Sequence, residues 1–258
     1  MIKRIFILRH AQTLLNKENI LQGQSYDGKL SIEGIRQADL FFGENKHLLL
    51  DKIYLSSLQR SYDSVEKFIT RKNVPYEKMA NLNEVNWGIL EGKQLIGQTH
   101  YQYISIIEKW QDGNFQEKVR DGENLFELIS RAKNALNYIM SKTNETNTLI
   151  VTHSRILKII LCLLLYLDLK KQDTFRHKNM CVYELKYICD DSKSLLPKKP
   201  IPYQSRSSPI EPFSMKKMEW TTCESARLNQ HRPGDERALH EKEYEQAEDR
   251  ATLTTSNY

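Results

Sequence analysis

Phe6-Ile7-Leu8-Arg9-His10-Ala11-Gln12-Thr13 is the stretch on which the reading of this chain turns. With Ile2 and Ile5, its first residues make an apolar run too short for a helix and rich in residues that suit a pleated sheet, which predicts a buried strand. Arg9 and His10 stand where that strand ends. In open α/β sheets ligands bind beyond the carboxyl ends of the strands, and a guanidinium beside an imidazole at that edge makes an anion site. Taken alone the dipeptide specifies little, because a surface Arg-His pair is the commoner case. Its meaning depends on what surrounds it.

A second run repeats the design. Thr148-Leu149-Ile150-Val151-Thr152 ends at His153-Ser154, and Ile156 to Leu167 then predicts a long buried helix that starts against that histidine. Between the two junctions, Ser31 reads as the N-cap of a helix carrying Ile35, Ala38, Phe41 and Phe42, with Gly43 as its end. Asp51 to Ser56 predicts a strand, and Ser57 to Ser61 turns into a helix carrying Tyr62, Val65 and Phe68. Arg60 falls in that helix's first turn, where a cation opposes the helix dipole unless an anion binds nearby. In Leu82 to Gly92 two glycines break both periodicities and Glu84 and Glu91 stand among apolar residues, so an ordered loop is expected. A carboxyl half-buried beside Trp87 would have a raised pKa, which makes Glu84 or Glu91 a candidate general acid. Tyr101 to Trp110 predicts a helix, and Asn124 caps another with Leu125, Leu128, Ile129, Ala132, Leu136 and Ile139 on one face. Cys181 to Ile188 predicts a last strand at a sheet edge. The whole predicts an α/β three-layer sandwich, a mostly parallel sheet flanked by helices, with a small helical cap from about Lys93 to Asp121.

Composition divides the 258 residues in two. Pro75 is alone before residue 190, whereas six prolines crowd the remainder among Ser, Lys, Glu, Gln and Arg. A globular domain is expected over 1–189 and a disordered polar tail over 190–258. Residues 1–189 hold 27 Lys and Arg against 21 Asp and Glu, so the excess of +6 belongs to the globular part. That favours a small anionic ligand, and without a Lys/Arg run interleaved with aromatics it does not call for nucleic acid. The apolar run Ile159 to Leu167 is well short of the roughly 20 residues that span a bilayer, so no membrane partner is expected. Cys162, Cys181, Cys189 and Cys223 show no C-x-x-C pair and no zinc-ligand spacing. They read as structural thiols, which with the lack of a signal-peptide pattern points to the cytoplasm.

In family order, these residues resemble the histidine phosphatase superfamily, also called phosphoglycerate mutase-like, over residues 1–188. The pieces are Arg9-His10-Ala11-Gln12-Thr13 with Asn16; Leu30-Ser31 with Gly34, Gln37 and Ala38; and Ser56-Ser57-Leu58-Gln59-Arg60. They continue with Glu84 with Gly88, Glu91 and Gly92; Gly122-Glu123; and Thr152-His153. The resemblance implies His10 as nucleophile, Glu84 as proton donor, and Arg9, Arg60 and a protonated His153 as the phosphate pocket. It places Asn16, Gln22 and Gly23 near the substrate, and it implies no metal and no cofactor.

Departures from the family pattern separate the activities it contains. Ala11, Ser154 and Asn124 are small or capping replacements. Val85 and Asn86 stand where phosphoglycerate mutases carry an arginine and a histidine that hold the substrate carboxylate, and the Gly92–Gly122 segment is short for a mutase cap. A phosphomonoester hydrolase acting through phosphohistidine on a small phosphorylated metabolite is therefore the expectation. The alternatives are a phosphoglycerate or bisphosphoglycerate mutase and a catalytically idle phospholigand- or protein-binding module. Oligomeric state is open, a homodimer included.

Overall fold

The computed structural model describes residues 2–188 and 220–222. The first strand, β1 (Ile2–Arg9), is followed by a one-turn helix α1 (Leu14–Lys17), helix α2 (Ile32–Asn45) and strand β2 (Lys52–Ser56). Two short helices, α3 (Gln59–Asp63) and α4 (Glu66–Lys72), lead to β3 (Tyr76–Met79). After the loop that holds Glu84 come α5 (Gly97–Asp112), α6 (Leu125–Ser141), β4 (Asn147–Thr152), α7 (Ser154–Leu164) and β5 (Val182–Ile188). A last strand, β6 (Trp220–Thr222), pairs antiparallel with β5.

The sheet order is β3-β2-β4-β1-β5-β6. Strands β3, β2, β4 and β1 run parallel, and β5 returns antiparallel. Because side chains alternate across a strand, each central strand feeds two cores. Ile5, Ile7, Tyr54 and Ile150 point into the larger one, with the buried faces of α5, α6 and α7. Phe6, Leu8, Ile53, Leu55, Leu149 and Val151 point into the other, with Phe41 of α2, Phe68 of α4, Val65 and Val74. Truncating a fully buried residue such as Ile7 to alanine in so closed a layer would cost about 2–5 kcal/mol.

Local chemistry explains most element ends. Ser31 accepts from the Gly34 amide at 3.0 Å and caps α2. Asn124 forms a reciprocal capping box with Glu127 at the start of α6, and all six residues expected on that helix's apolar face are buried. Several expectations need correction: β5, expected at a sheet edge, lies between β1 and β6. Gly43 lies inside α2 with open space around its α-carbon, so nothing there forces a stop. The single helix expected after Ser57 is broken at Ser64–Val65 into α3 and α4. Strand β3 went unseen, because its alternation of exposed and half-buried residues carries little apolar signal.

The tail expected to be disordered over 190–258 lies outside the described residues except for Trp220–Thr222, which form β6. By compactness the chain divides after Thr222, into Met1–Thr222 and Cys223–Tyr258, the latter also outside the described residues. Among the described residues, no helix is long and apolar enough to cross a membrane.

Candidate active site

The site follows from parallel pairing of two strands. β1 and β4 lie side by side with Arg9 opposite Thr152, and the His10 amide donates to the Thr152 carbonyl at 3.0 Å. Two strands that end in register therefore bring His10 and His153 together, with ring centroids 5.0 Å apart. Residues up to 169 positions apart from His10 join others close to it in lining a cavity of about 290 Å³, at the low end for a ligand pocket. Arg9, His10, Asn16, Gln22, Arg60 and Glu84 are among its walls.

His10 Nδ1 is 2.7 Å from the Ala11 carbonyl oxygen, which can only accept. The proton therefore sits on Nδ1 and the lone pair on Nε2. Burial, then the charges of Arg60 and Arg9, hold the ring well below the ordinary histidine pKa, so it is neutral at physiological pH. The loop behind it is held by the family-pattern residues of α2. Gln37 Oε1 accepts from the Gln12 amide at 3.1 Å, and the Ser31 amide donates to the Gln12 carbonyl at 2.9 Å. A β-carbon on Gly34 would stand 1.9 Å from that same carbonyl, so only glycine permits the approach.

Arg60 is 1% exposed, and its charge is spread over several acceptors. Nε donates to His153 Nδ1 at 3.1 Å, Nη2 to the Gly23 carbonyl at 2.9 Å, and Nη1 to the Tyr26 carbonyl and Asp27 Oδ1 at 3.0 and 3.1 Å. Asp27 also accepts from the Gln59 amide at the start of α3, which relieves the dipole problem raised by a cation in that turn. Arg9 donates from Nη1 to the His177 carbonyl at 3.0 Å, while its buried Nε has no hydrogen-bond partner. Arg9 is itself one of the cavity walls, and its charge suits an incoming anion.

His153 differs from expectation. The nitrogen that receives the Arg60 Nε–H cannot itself carry a proton, so Nδ1 is bare and Nε2 donates to Ser56 Oγ at 2.7 Å. The ring is wholly buried, and burial with the Arg60 charge holds its pKa well below the ordinary value. His153 is thus neutral rather than protonated, and it braces Arg60 from behind.

Glu84 accepts from the backbone amides of Val85, Arg155 and Ile156 at 3.0–3.2 Å. His153, the N-cap of α7, supplies no side-chain cap, so the Glu84 carboxylate satisfies the open amides of that helix's first turn. Its loop is pinned from below: Arg131 of α6 donates to the carbonyls of Asn81, Asn83 and Glu84 and pairs with both oxygens of Glu123 at 2.6 and 2.9 Å. Glu91, the other candidate acid, accepts from the amides of Gln24, Ser25 and Trp87 and ties two loops together. A β-carbon on Gly23 would fall 1.9 Å from Glu91 Oε1. Gly23 therefore does not line the cavity; it lets the Glu91 carboxylate close behind the loop that carries Gln22.

Asn16 completes a capping box with Thr13 and accepts from Asn179 Nδ2 at 3.3 Å; Gln22 Nε2 donates to Thr13 Oγ1 at 2.6 Å. Tyr103, Arg155 and Asn179 are among the wall residues missed in the sequence. Arg155 follows directly on His153-Ser154 and could have been singled out there. Asn179 donates to the His10 carbonyl at 2.9 Å across 169 positions, a contact with no local signature. No group of three or more His, Cys, Asp or Glu suited to hold a metal ion occurs among the described residues.

An open α/β sheet thus gathers two histidines, two arginines and a glutamate at the ends of its parallel strands, with a neutral imidazole in the cavity wall. The chain matches the histidine phosphatase superfamily (branch 1) over residues 5–196 and belongs to that superfamily. It is 27% identical to phosphoserine phosphatase 1 of Hydrogenobacter thermophilus, over 65% of this chain and 79% of that protein. It is 26% identical to a probable phosphoglycerate mutase of Proteus mirabilis, over 71% and 85% respectively. A putative alpha-ribazole-5'-P phosphatase of Escherichia coli shares the fold with a TM-score of 0.64 at 20% identity, covering 71% of this chain and 90% of the other. So does a mycobacterial glucosyl-3-phosphoglycerate phosphatase, with a TM-score of 0.60 at 21% identity, covering 72% and 91%.

Proposed function

We propose that this protein hydrolyses small phosphomonoesters through a phosphohistidine on His10. The observation that carries the reading is the His10 tautomer: Nδ1–H tied to the Ala11 carbonyl leaves a neutral ring with its Nε2 lone pair available. Nε2 attacks phosphorus, the ester P–O bond breaks, and Glu84 gives the leaving oxygen its proton. Charge on the phosphoryl oxygens is met by the guanidiniums of Arg60 and Arg9, held in place before the reaction. Water then attacks the phosphohistidine as Glu84 takes its proton, the P–N bond breaks, and phosphate leaves with His10 neutral again. His153 holds Arg60 in place, and Asn16 and Gln22 border the substrate.

A mutase is the second reading, favoured by the probable phosphoglycerate mutases among the relatives. Against it, Val85 is fully buried and the Asn86 side chain accepts from the Gly88 amide at 2.9 Å, so neither position offers a cation to a substrate carboxylate. The deciding experiment follows labelled phosphate from substrate. Transfer to water, with an acid-labile phosphoenzyme on the wild type, supports the hydrolase; transfer to a phosphoglycerate acceptor makes it a mutase. A protein that binds phosphate analogues but turns over neither these substrates nor p-nitrophenyl phosphate would be an idle binding module.

A further inference from the structure

Beyond the phosphate end, the cavity has one more cation in its wall, Arg155, and it is already engaged. Nη1 donates to Asp173 Oδ1 at 2.7 Å and to Gln172 Oε1 at 3.3 Å, and Nη2 to the Tyr103 hydroxyl at 3.3 Å. The Arg155 side chain is 7% exposed, so this pairing takes place largely out of water. Asp173 is itself anchored by Lys158 Nζ at 2.6 Å and by Gln111 Nε2 of α5 at 3.0 Å. Burial works against its charge, but Arg155 and Lys158 pull the carboxyl down to about 2, so it is ionised throughout the working range. The rest of the wall that a leaving group meets is uncharged. Leu21, Leu95 and Trp87 offer apolar surface, and Asn16, Asn19 and Asn179 are amides suited to hydroxyls.

We infer that Arg155, held by Asp173, Gln172 and Tyr103, makes this site select phosphomonoesters whose leaving group is an uncharged, hydroxyl-bearing ring, such as a monosaccharide or nucleoside, and reject those that carry a carboxylate. The inference rests on the phosphatase reading above and narrows it. A substrate carboxylate entering this wall would have to share Arg155 with Asp173, which already holds Nη1 and is itself held by Lys158. Desolvating it without a free cation is costly, whereas hydroxyls can pair with the asparagine amides.

The test compares kcat/KM for glycerol 3-phosphate and 3-phosphoglycerate, which differ at one end by a hydroxymethyl group against a carboxylate. The wild type should prefer glycerol 3-phosphate by at least about tenfold, and Asp173→Asn, which frees Arg155 of its counter-charge, should reduce or invert that ratio by a similar factor. A monosaccharide phosphate and a nucleoside 5'-monophosphate should both exceed 3-phosphoglycerate and phosphoserine on the wild type. Preference of the wild type for 3-phosphoglycerate or phosphoserine overturns the inference, and so does a folded Asp173→Asn with an unchanged ratio. The wild-type comparison needs no variant, so a misfolded Asp173→Asn does not prevent a decision. Hydrolysis of p-nitrophenyl phosphate by the wild type separates the two levels: with it, a wrong preference refutes the substrate class alone, and without it the phosphatase reading fails.

Discussion

The two strand-to-histidine junctions are nearly the same sentence written twice, yet they end in different environments. β1 delivers His10 to the cavity wall, its Nδ1 fixed by the adjacent carbonyl and its Nε2 left free. β4 delivers His153 to a sealed position, where Arg60 occupies one nitrogen and Ser56 the other. What separates them is what lies over each strand end. Above β1 is a loop held open by α2; above β4 sit α3 and the Glu84 loop, which close over the ring. A histidine at the end of a parallel strand is thus a position, and its role is set by whether both nitrogens are taken.

The strongest way to break this contrast is to remove each ring in turn. His10→Ala should abolish turnover and leave no acid-labile phosphate on the protein, because the covalent route itself is gone. Phosphoenzyme on that variant would mean that the reacting histidine has been misassigned.

Glu84 sharpens the contrast from the β4 side, since it caps the helix that starts at His153. Glu84→Gln should lose about 10²- to 10⁴-fold on alkyl phosphates, the usual worth of general acid catalysis. With p-nitrophenyl phosphate, whose leaving group needs little help, the first step should survive, giving a burst near one nitrophenol per site followed by slow turnover. Equal rates on both ester types at the wild-type level would remove Glu84 from the reaction; Glu91, which is not among the cavity walls, would not be a replacement.

Arg60→Ala should cost roughly 10²- to 10³-fold in kcat, as for the loss of one oxyanion donor. His153→Ala should cost less, because Arg60 keeps its bonds to Gly23, Tyr26 and Asp27. The double variant should be little slower than Arg60→Ala if His153 acts through Arg60, and the two losses should multiply if it touches phosphate independently. Leaving the buried Arg60 Nε unpaired in His153→Ala should also lower stability by about 1–3 kcal/mol, readable as a shift in urea midpoint.

The two rings also share an effect on stability. Each is held below its unfolded pKa of about 6.5, and burial with the Arg9 charge takes His177 to about 3. Below pH 6.5 the unfolded chain therefore binds more protons than the folded one. Stability from these neutral rings is complete above that pH and is lost as pH falls towards the folded values, by up to about 1.4 kcal/mol per pH unit for each histidine. Urea midpoints at pH 7, 6 and 5 test this above the range where carboxylates titrate, and the phosphatase rate should survive the same interval because His10 stays neutral. A midpoint that does not move would show that the rings are solvated.

Much of the framework was legible in the chain because it rests on local rules. The apolar runs of β1 and β4, the Ser31 and Asn124 caps and the apolar face of α6 follow from residue type and period over a few positions, and the structure keeps them. Glycine spacing likewise announced the Glu84 loop. The sequence by itself therefore determined an α/β sheet with His10, His153 and Arg60 at element ends and Glu84 on an ordered loop. Only the tertiary structure decided how they are divided: which ring keeps a free nitrogen, which carboxylate faces the cavity, and that Gly23 serves Glu91 rather than lining the wall. It also decided that Arg155 comes with a counter-charge from Asp173 and that Asn179 reaches His10. The physical reason is that protonation state, pairing and exposure are properties of neighbours, and several of those neighbours, such as Asp173 for Arg155 and Asn179 for His10, lie 18 and 169 positions away, beyond the reach of any periodicity.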